Sequence, residues 1–193
     1  MNLSKGKNMR KDLQNGRSMI EMLGVLSIIG ILTVGGFNLI SKTVSENRVN
    51  KVIDEVSDLA RRTRVIFREF IYDKNPADNA DMSEYIFKAK SYPDVLEWDS
   101  SKKVFIDDDD VEMSVSFKKK EKVEYYILKI ANMSDEICMA IANGQWGTRA
   151  TNGFSGISMN NNKDPIGKSV TLDDAAGNNG CNNDNSTIYI AFR

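Results

Sequence analysis

The chain has 193 residues, of which 41% are hydrophobic and 27% charged, and its formal net charge is -1. This size and composition fit one membrane anchor with one globular domain, and the near-neutral charge provides no general attraction to nucleic acid or anionic lipid. The sequence contains no His, so the commonest general base and metal ligand is absent. We therefore assign no catalytic residue, metal site or cofactor.

Residues 1–16 form a basic leader with four cationic side chains and a single acid, Asp12. Positively charged flanks of an apolar segment stay in the cytoplasm, so the N-terminus is expected inside and the rest of the chain outside. The alternative is a secretory signal peptide that is cleaved after a small residue near Gly35 or Gly36. That alternative leaves the acid at the start of the apolar segment without a role.

The acid is Glu21, and the segment from Met22 to Ile40 that follows it carries no charge. A helix of that length is about 28 Å long, which is close to the hydrocarbon thickness of a bilayer. The sequence therefore predicts a membrane-spanning helix within 17–45. Because an ionisable group is costly at the edge of lipid, we also expect a partner charge for Glu21 from another chain.

The same helix is predicted to run from about Ser18 to about Tyr72, because no Pro interrupts the chain before Pro76. In its second half, apolar residues recur every three or four positions and charged residues fill the other faces. Such a stripe must be buried against another part of the chain. Its members are Val49, Val52, Ile53, Val56, Leu59, Ala60, Ile66, Phe67 and Phe70.

A cluster of helix-breaking residues at 73–79 predicts the end of this helix. A short helix over Met82–Ala89 and an extended connection at Tyr92-Pro93 follow. Alternating apolar and polar residues then predict an antiparallel meander, whose apolar face is expected to be covered by the amphipathic half of the long helix. Its strands are Val104–Ile106, Val111–Phe117 and Val123–Ile130, with a charged hairpin tip at Lys118–Glu121.

Two charged clusters have weak binding alternatives. The acidic run Asp107–Asp110 has the chemistry for Ca²⁺ but not the liganding spacing of an EF-hand loop, so a solvated turn is expected. Arg61, Arg62 and Arg64, together with Lys118–Lys122, are expected to be solvated helix and hairpin charges rather than a surface for nucleic acid.

The last third of the chain begins with a short helix. Ser134 is its expected N-cap, and Gly144 is expected to close it. Trp146 and Phe154 are expected to anchor a loop region rich in Gly, Asn and Thr. A strand is predicted over Lys168–Leu172 and a final one over Thr187–Phe192.

The two cysteines, Cys138 and Cys181, lie downstream of the export signal, and an even pair in that position predicts a disulfide. The bond would close a loop of about 44 residues and stabilise the fold by roughly 4 kcal/mol. Two buried free thiols are the alternative.

The combination of a short basic leader, Gly16, Glu21 five residues later and about twenty apolar residues resembles the prepilin leader and N-terminal helix of type IV pilins and type II secretion pseudopilins. The resemblance covers about residues 10–40. The remaining plan is similar to the α+β pilin fold, in which a long N-terminal helix packs on an antiparallel sheet with a C-terminal disulfide loop. The C-terminal region most resembles type IVb pilins.

The resemblance implies that a prepilin peptidase cleaves between Gly16 and Arg17, that the new amine of Arg17 is N-methylated, and that Glu21 pairs with the N-terminal amine of a neighbouring subunit. Arg17 stands where the family usually has an apolar residue. The proline common in the membrane half is absent, and Gly35-Gly36 would serve as the flexible point.

The function this implies is a structural, non-enzymatic subunit of a type IV pilus. The subunit would be held in the bacterial inner membrane by one span with its C-terminal domain in the periplasm, and after polymerisation by the assembly machinery it would lie in an extracellular filament. Alternatives are a minor pilin, a type II secretion pseudopilin, or a signal-anchored periplasmic binding domain that does not polymerise. The expected divisions are the leader 1–16, the membrane and assembly helix 17–45, and a globular domain 46–193 with helix 46–73, connection 74–100 and sheet region 101–193.

Overall fold

The computed structural model describes residues 9–144, 146, 153–160, 162–177, 180–181 and 186–193, with the side chains of 9–21, 28–43 and 172 left out. The chain divides into two compact units, Met1–Asn47 and Arg48–Arg193. As far as the described residues go, none of the helices is both long and apolar enough to cross a membrane. The expected membrane segment 17–45 has described side chains only at 22–27 and 44–45.

Helix α1 spans Met9–Lys74 and therefore begins earlier than expected. Residues 9–17 contain no Pro, and a single helical glycine, Gly16, costs only about 1 kcal/mol, so nothing in this part of the chain stops the helix. At the other end Asn75 has a positive φ of 41° and its N–H donates to the carbonyl of Ile71 at 2.9 Å. Pro76 follows, and these two residues end the helix.

Six strands form one antiparallel sheet in the order β1-β2-β3-β4-β6-β5. The last strand of the chain, β6, lies between β4 and β5, and Leu128 of β4 faces Ile190 of β6. The strands are β1 Glu97–Asp99, β2 Val104–Ile106, β3 Glu112–Lys120, β4 Val123–Ala131, β5 Phe154–Met159 and β6 Ile188–Phe192. The described residues also contain helices α2 Ser83–Lys88, α3 Asp135–Ala142 and α4 Leu172–Ala176.

The turn between β3 and β4 differs in its bounds from the charged hairpin tip expected at Lys118–Glu121. Strand β3 continues to Lys120, and the turn consists of Glu121 and Lys122 alone, with φ of 51° and 70°. Two positive φ values in a two-residue turn match the right-handed twist of the flanking strands. Ion pairs to other parts of the chain hold the basic end of β3, since Lys118 contacts Asp78 at 3.0 Å and Lys120 contacts Asp164 at 3.1 Å.

The strand expected over Lys168–Leu172 is also wrong, because this segment leads into α4. The Thr171 side chain accepts from the N–H of Asp174, and the Asp174 carboxylate accepts from the N–H of Thr171. This reciprocal capping box starts a helix where an extended strand was expected. Two strands, β1 and β5, were not predicted at all.

The core lies between the second half of α1 and the sheet, so the predicted cover of the meander is confirmed. The ring of Phe67 lies 5.1 Å from that of Tyr126 and 6.3 Å from that of Phe117. The Tyr126 hydroxyl donates to the α1 carbonyl of Ala60 at 3.0 Å. The α+β class and the antiparallel sheet are therefore as predicted. All stripe residues except Val49, which is half-buried, are buried.

Candidate functional site

The predicted processing and assembly residues Gly16, Arg17 and Glu21 lie within the backbone of α1, but their side chains are outside the described residues. The six side chains directly after Glu21, at 22–27, are described, and all are exposed. Met22 is 66% exposed and Leu23 is 60% exposed. An exposed apolar surface on consecutive turns of a helix is typical of a segment that contacts other helices or lipid.

The disulfide between Cys138 and Cys181 is present, which confirms the predicted pairing. Helix α3 positions Cys138, and the Ser134 side chain caps that helix by accepting from the N–H of Ile137. Both half-cystines are fully buried. The bond therefore attaches the C-terminal loop to the helix that follows the meander.

Gly180 sets the position of the second half-cystine. A Cβ at this residue would lie 2.1 Å from the carbonyl oxygen of Ala175, so only glycine fits. The next N–H, that of Cys181, donates to the same carbonyl at 2.8 Å. The side chain of Asn160 donates to the Gly180 carbonyl at 3.0 Å and accepts from the N–H of Thr187 at 2.9 Å. The disulfide loop is thereby fastened to the start of β6.

The acidic turn between β2 and β3 is solvated at Asp108 and Asp110, as expected, but it is also bound to α1, and Asp107 is buried. Arg48 Nε lies 2.8 Å from Asp109 Oδ1, and Lys51 Nζ lies 2.7 Å from Asp108 Oδ2. Asp107 is buried, and its Oδ1 accepts from the N–H groups of Asp109 at 2.9 Å and Val111 at 2.8 Å. These two hydrogen bonds hold the Asp107 side chain against the backbone of its own turn, so the side chain points inward.

Glu55 of α1 is buried beside Asp107, within hydrogen-bonding reach of its carboxyl group. Burial, with the Asp107 charge in second place, raises the pKa of Glu55 to about 7. Burial likewise raises the pKa of Asp107, against the opposing effect of the two N–H groups that it accepts from. No group of three or more residues suited to holding a metal ion occurs in the described part of the chain.

A groove of about 660 Å³ lies where the end of α1 meets α2. Its walls combine the Phe70 and Tyr85 rings with charged side chains of both signs, and Lys74 Nζ lies 5.9 Å from the centre of the Tyr85 ring. The mixed charge selects no particular class of ligand.

Glu55, Thr63 and Asp107 are buried polar residues that were not predicted from the sequence. For two of them a signal existed, since Glu55 lies three residues after Val52 and Thr63 lies four after Leu59, so both fall on the apolar stripe. For Asp107 there was none, because nothing in a run of four aspartates distinguishes the one that turns inward.

Comparisons of the chain with protein-family models, with curated proteins and with solved structures return no match.

Proposed function

We propose that this chain is a pilin-like structural subunit of an envelope filament, held in the inner membrane through 17–45 and polymerised through the same segment. One observation carries the proposal: Gly16 and Glu21 stand five residues apart directly before an uncharged segment, on the same helix that later packs on the sheet. An export signal that is removed whole has no use for either feature.

The exposed side chains at 22–27 support this role. Met22, Leu23, Val25 and Leu26 are each more than half exposed, at 66%, 60%, 56% and 55%. Apolar surface of this kind is stable in lipid before assembly and among like helices afterwards, so one segment serves both states.

The globular unit supports the role by its plan. The amphipathic part of α1 covers an antiparallel sheet, and a disulfide staples the C-terminal loop to α3. The resemblance of the N-terminal segment to prepilins implies the same plan for the globular unit. The N-terminal motif and the globular plan lie in separate parts of the chain, so each supports the proposal by itself. A disulfide also fits an oxidising compartment, as expected for the periplasm or the cell exterior.

In the proposed pathway, a prepilin peptidase cleaves after Gly16 and the new amine of Arg17 becomes the N-terminus. Glu21 of one subunit then pairs with that amine on its neighbour. Two ions within an apolar bundle are tolerated only as a matched pair, so a subunit in the wrong axial register would leave Glu21 unpaired. No reaction is assigned to the subunit itself.

The test uses cells that carry the chain with its assembly machinery. Mass spectrometry of the mature protein should find a chain that begins at Arg17, and Glu21→Ala should abolish filaments while the protein still reaches the membrane. Glu46→Ala is the matched control, because Glu46 is an exposed acid of the same helix outside the assembly segment.

A mature chain that begins at Met1 or near Phe37, or filaments unaffected by Glu21→Ala, would refute the proposal and favour a signal-anchored periplasmic domain. Filaments that contain the chain at one end only would identify a minor pilin or pseudopilin.

A further inference from the structure

Two acids face each other in the core where α1 meets the turn at 107–110. Glu55 is 6% exposed and Asp107 is 5% exposed. Neither Glu55 oxygen nor Asp107 Oδ2 accepts a hydrogen bond from any residue that the structure describes. Ionised carboxylates only accept hydrogen bonds, so two that are buried side by side with three of their four oxygens lacking a donor are strongly unfavourable.

One proton bound between the two carboxyl groups removes the repulsion between them. If one carboxyl group is protonated it donates to the other, and both the repulsion and the missing hydrogen bond are removed. We propose that Glu55 and Asp107 bind one proton between them, and that this proton makes the attachment of the 107–110 turn to α1 dependent on pH. The proton resides on Glu55, because the two N–H groups at Asp107 Oδ1 favour the ionised form of Asp107.

The surrounding charges do not remove the need for the proton. Lys51 Nζ is 3.8 Å from Glu55 Oε1, but it lies closer to Asp108, at 2.7 Å. Arg48 is paired with Asp109. Arg48 and Lys51 each lie closest to an aspartate of the same turn, and the longer Lys51 contact offsets only part of the effect of burial and of the Asp107 charge on Glu55.

The direction of the pH effect follows from linkage. The pKa of Glu55 is raised from 4.5 to about 7 in the folded chain, so the folded state holds the proton more tightly than the unfolded state. The stabilisation is complete below pH 4.5 and is lost as the pH rises through about 7. Between pH 5 and pH 8 the folded-to-unfolded ratio should fall roughly 70-fold from this group alone. The raised pKa of Asp107 acts in the same direction.

The chain is well suited to this measurement because it contains no His, the side chain that ordinarily titrates between pH 5 and pH 8. The experiment is urea denaturation of the full chain in mild detergent at pH 5, 6, 7 and 8. Hydrogen exchange of the Asp109 and Val111 N–H groups, which are bonded to Asp107, is followed in parallel. The wild-type chain should lose stability as the pH rises, and both N–H groups should exchange faster than the change in solvent pH alone requires.

Two variants and one control decide the assignment. Glu55→Gln cannot ionise but can still donate to Asp107, so it should fold and lose most of the pH response. Asp107→Asn keeps an oxygen for the two N–H groups and removes the neighbouring charge, so it should reduce the response. Glu69→Gln, at an exposed position of the same helix, should respond as the wild type does. A wild-type stability that is constant from pH 5 to pH 8, or a Glu55→Gln variant that keeps the wild-type response, would overturn the proposal.

Discussion

Replacing Phe67 by Ala tests whether the second half of α1 holds the globular unit together. Phe67 is 6% exposed and its ring contacts those of Tyr126 and Phe117 across the boundary between helix and sheet. A Phe→Ala change in a packed core costs about 3–5 kcal/mol, which includes the lost ring contacts and the cavity left behind. Since domains of this kind are stable by about 5–15 kcal/mol in total, this is a large part of the stability.

Val65→Ala is the matched control, because Val65 lies two residues earlier on the same helix and is 78% exposed. Its effect should stay within about 0.5 kcal/mol. Urea denaturation of the full chain in mild detergent reports both, with the fluorescence of Trp98 and Trp146 as the signal. With a slope of about 2 kcal/mol per molar urea, Phe67→Ala should lower the midpoint by about 2 M. A loss below about 1 kcal/mol, or one equal to that of Val65→Ala, would refute the view that this stripe forms the core.

Two further predictions concern the disulfide loop. Replacing Cys138 and Cys181 together by Ser should lower the free energy of unfolding by about 4 kcal/mol, because the unfolded chain regains the entropy that closing a loop of this size removes. A denaturation midpoint that is the same with and without the bond would contradict that value. Gly180→Ala should hinder the bond itself, because the added Cβ would lie 2.1 Å from the Ala175 carbonyl oxygen. Titration of free thiols in the unfolded protein should detect reduced cysteines, and a fully oxidised variant of wild-type stability would show that the loop accommodates the methyl group.

Patterns within short stretches of sequence determined the elements that were predicted well. The stripe from Val52 to Phe70 has the period of a helix, and the alternation in β3 and β4 has the period of a strand, so each element could be identified from its own residues. The same is true of α3, whose cap Ser134 lies beside the helix that it starts. The disulfide was predictable because the chain has two cysteines and the predicted export signal precedes both.

Tertiary structure alone decided which distant elements meet. The insertion of β6 between β4 and β5 depends on pairing between residues far apart in the chain, and three-residue β1 is too short to have a periodic signal of its own. The burial and the ion pairs of the acidic turn at 107–110 also depend on residues far away in the sequence. Read alone, four aspartates predict a solvated loop, but Arg48 and Lys51 of α1 pair with Asp109 and Asp108 and leave Asp107 buried against Glu55. The cost of burying a carboxyl group depends on its neighbours in space, and those neighbours come from another part of the chain.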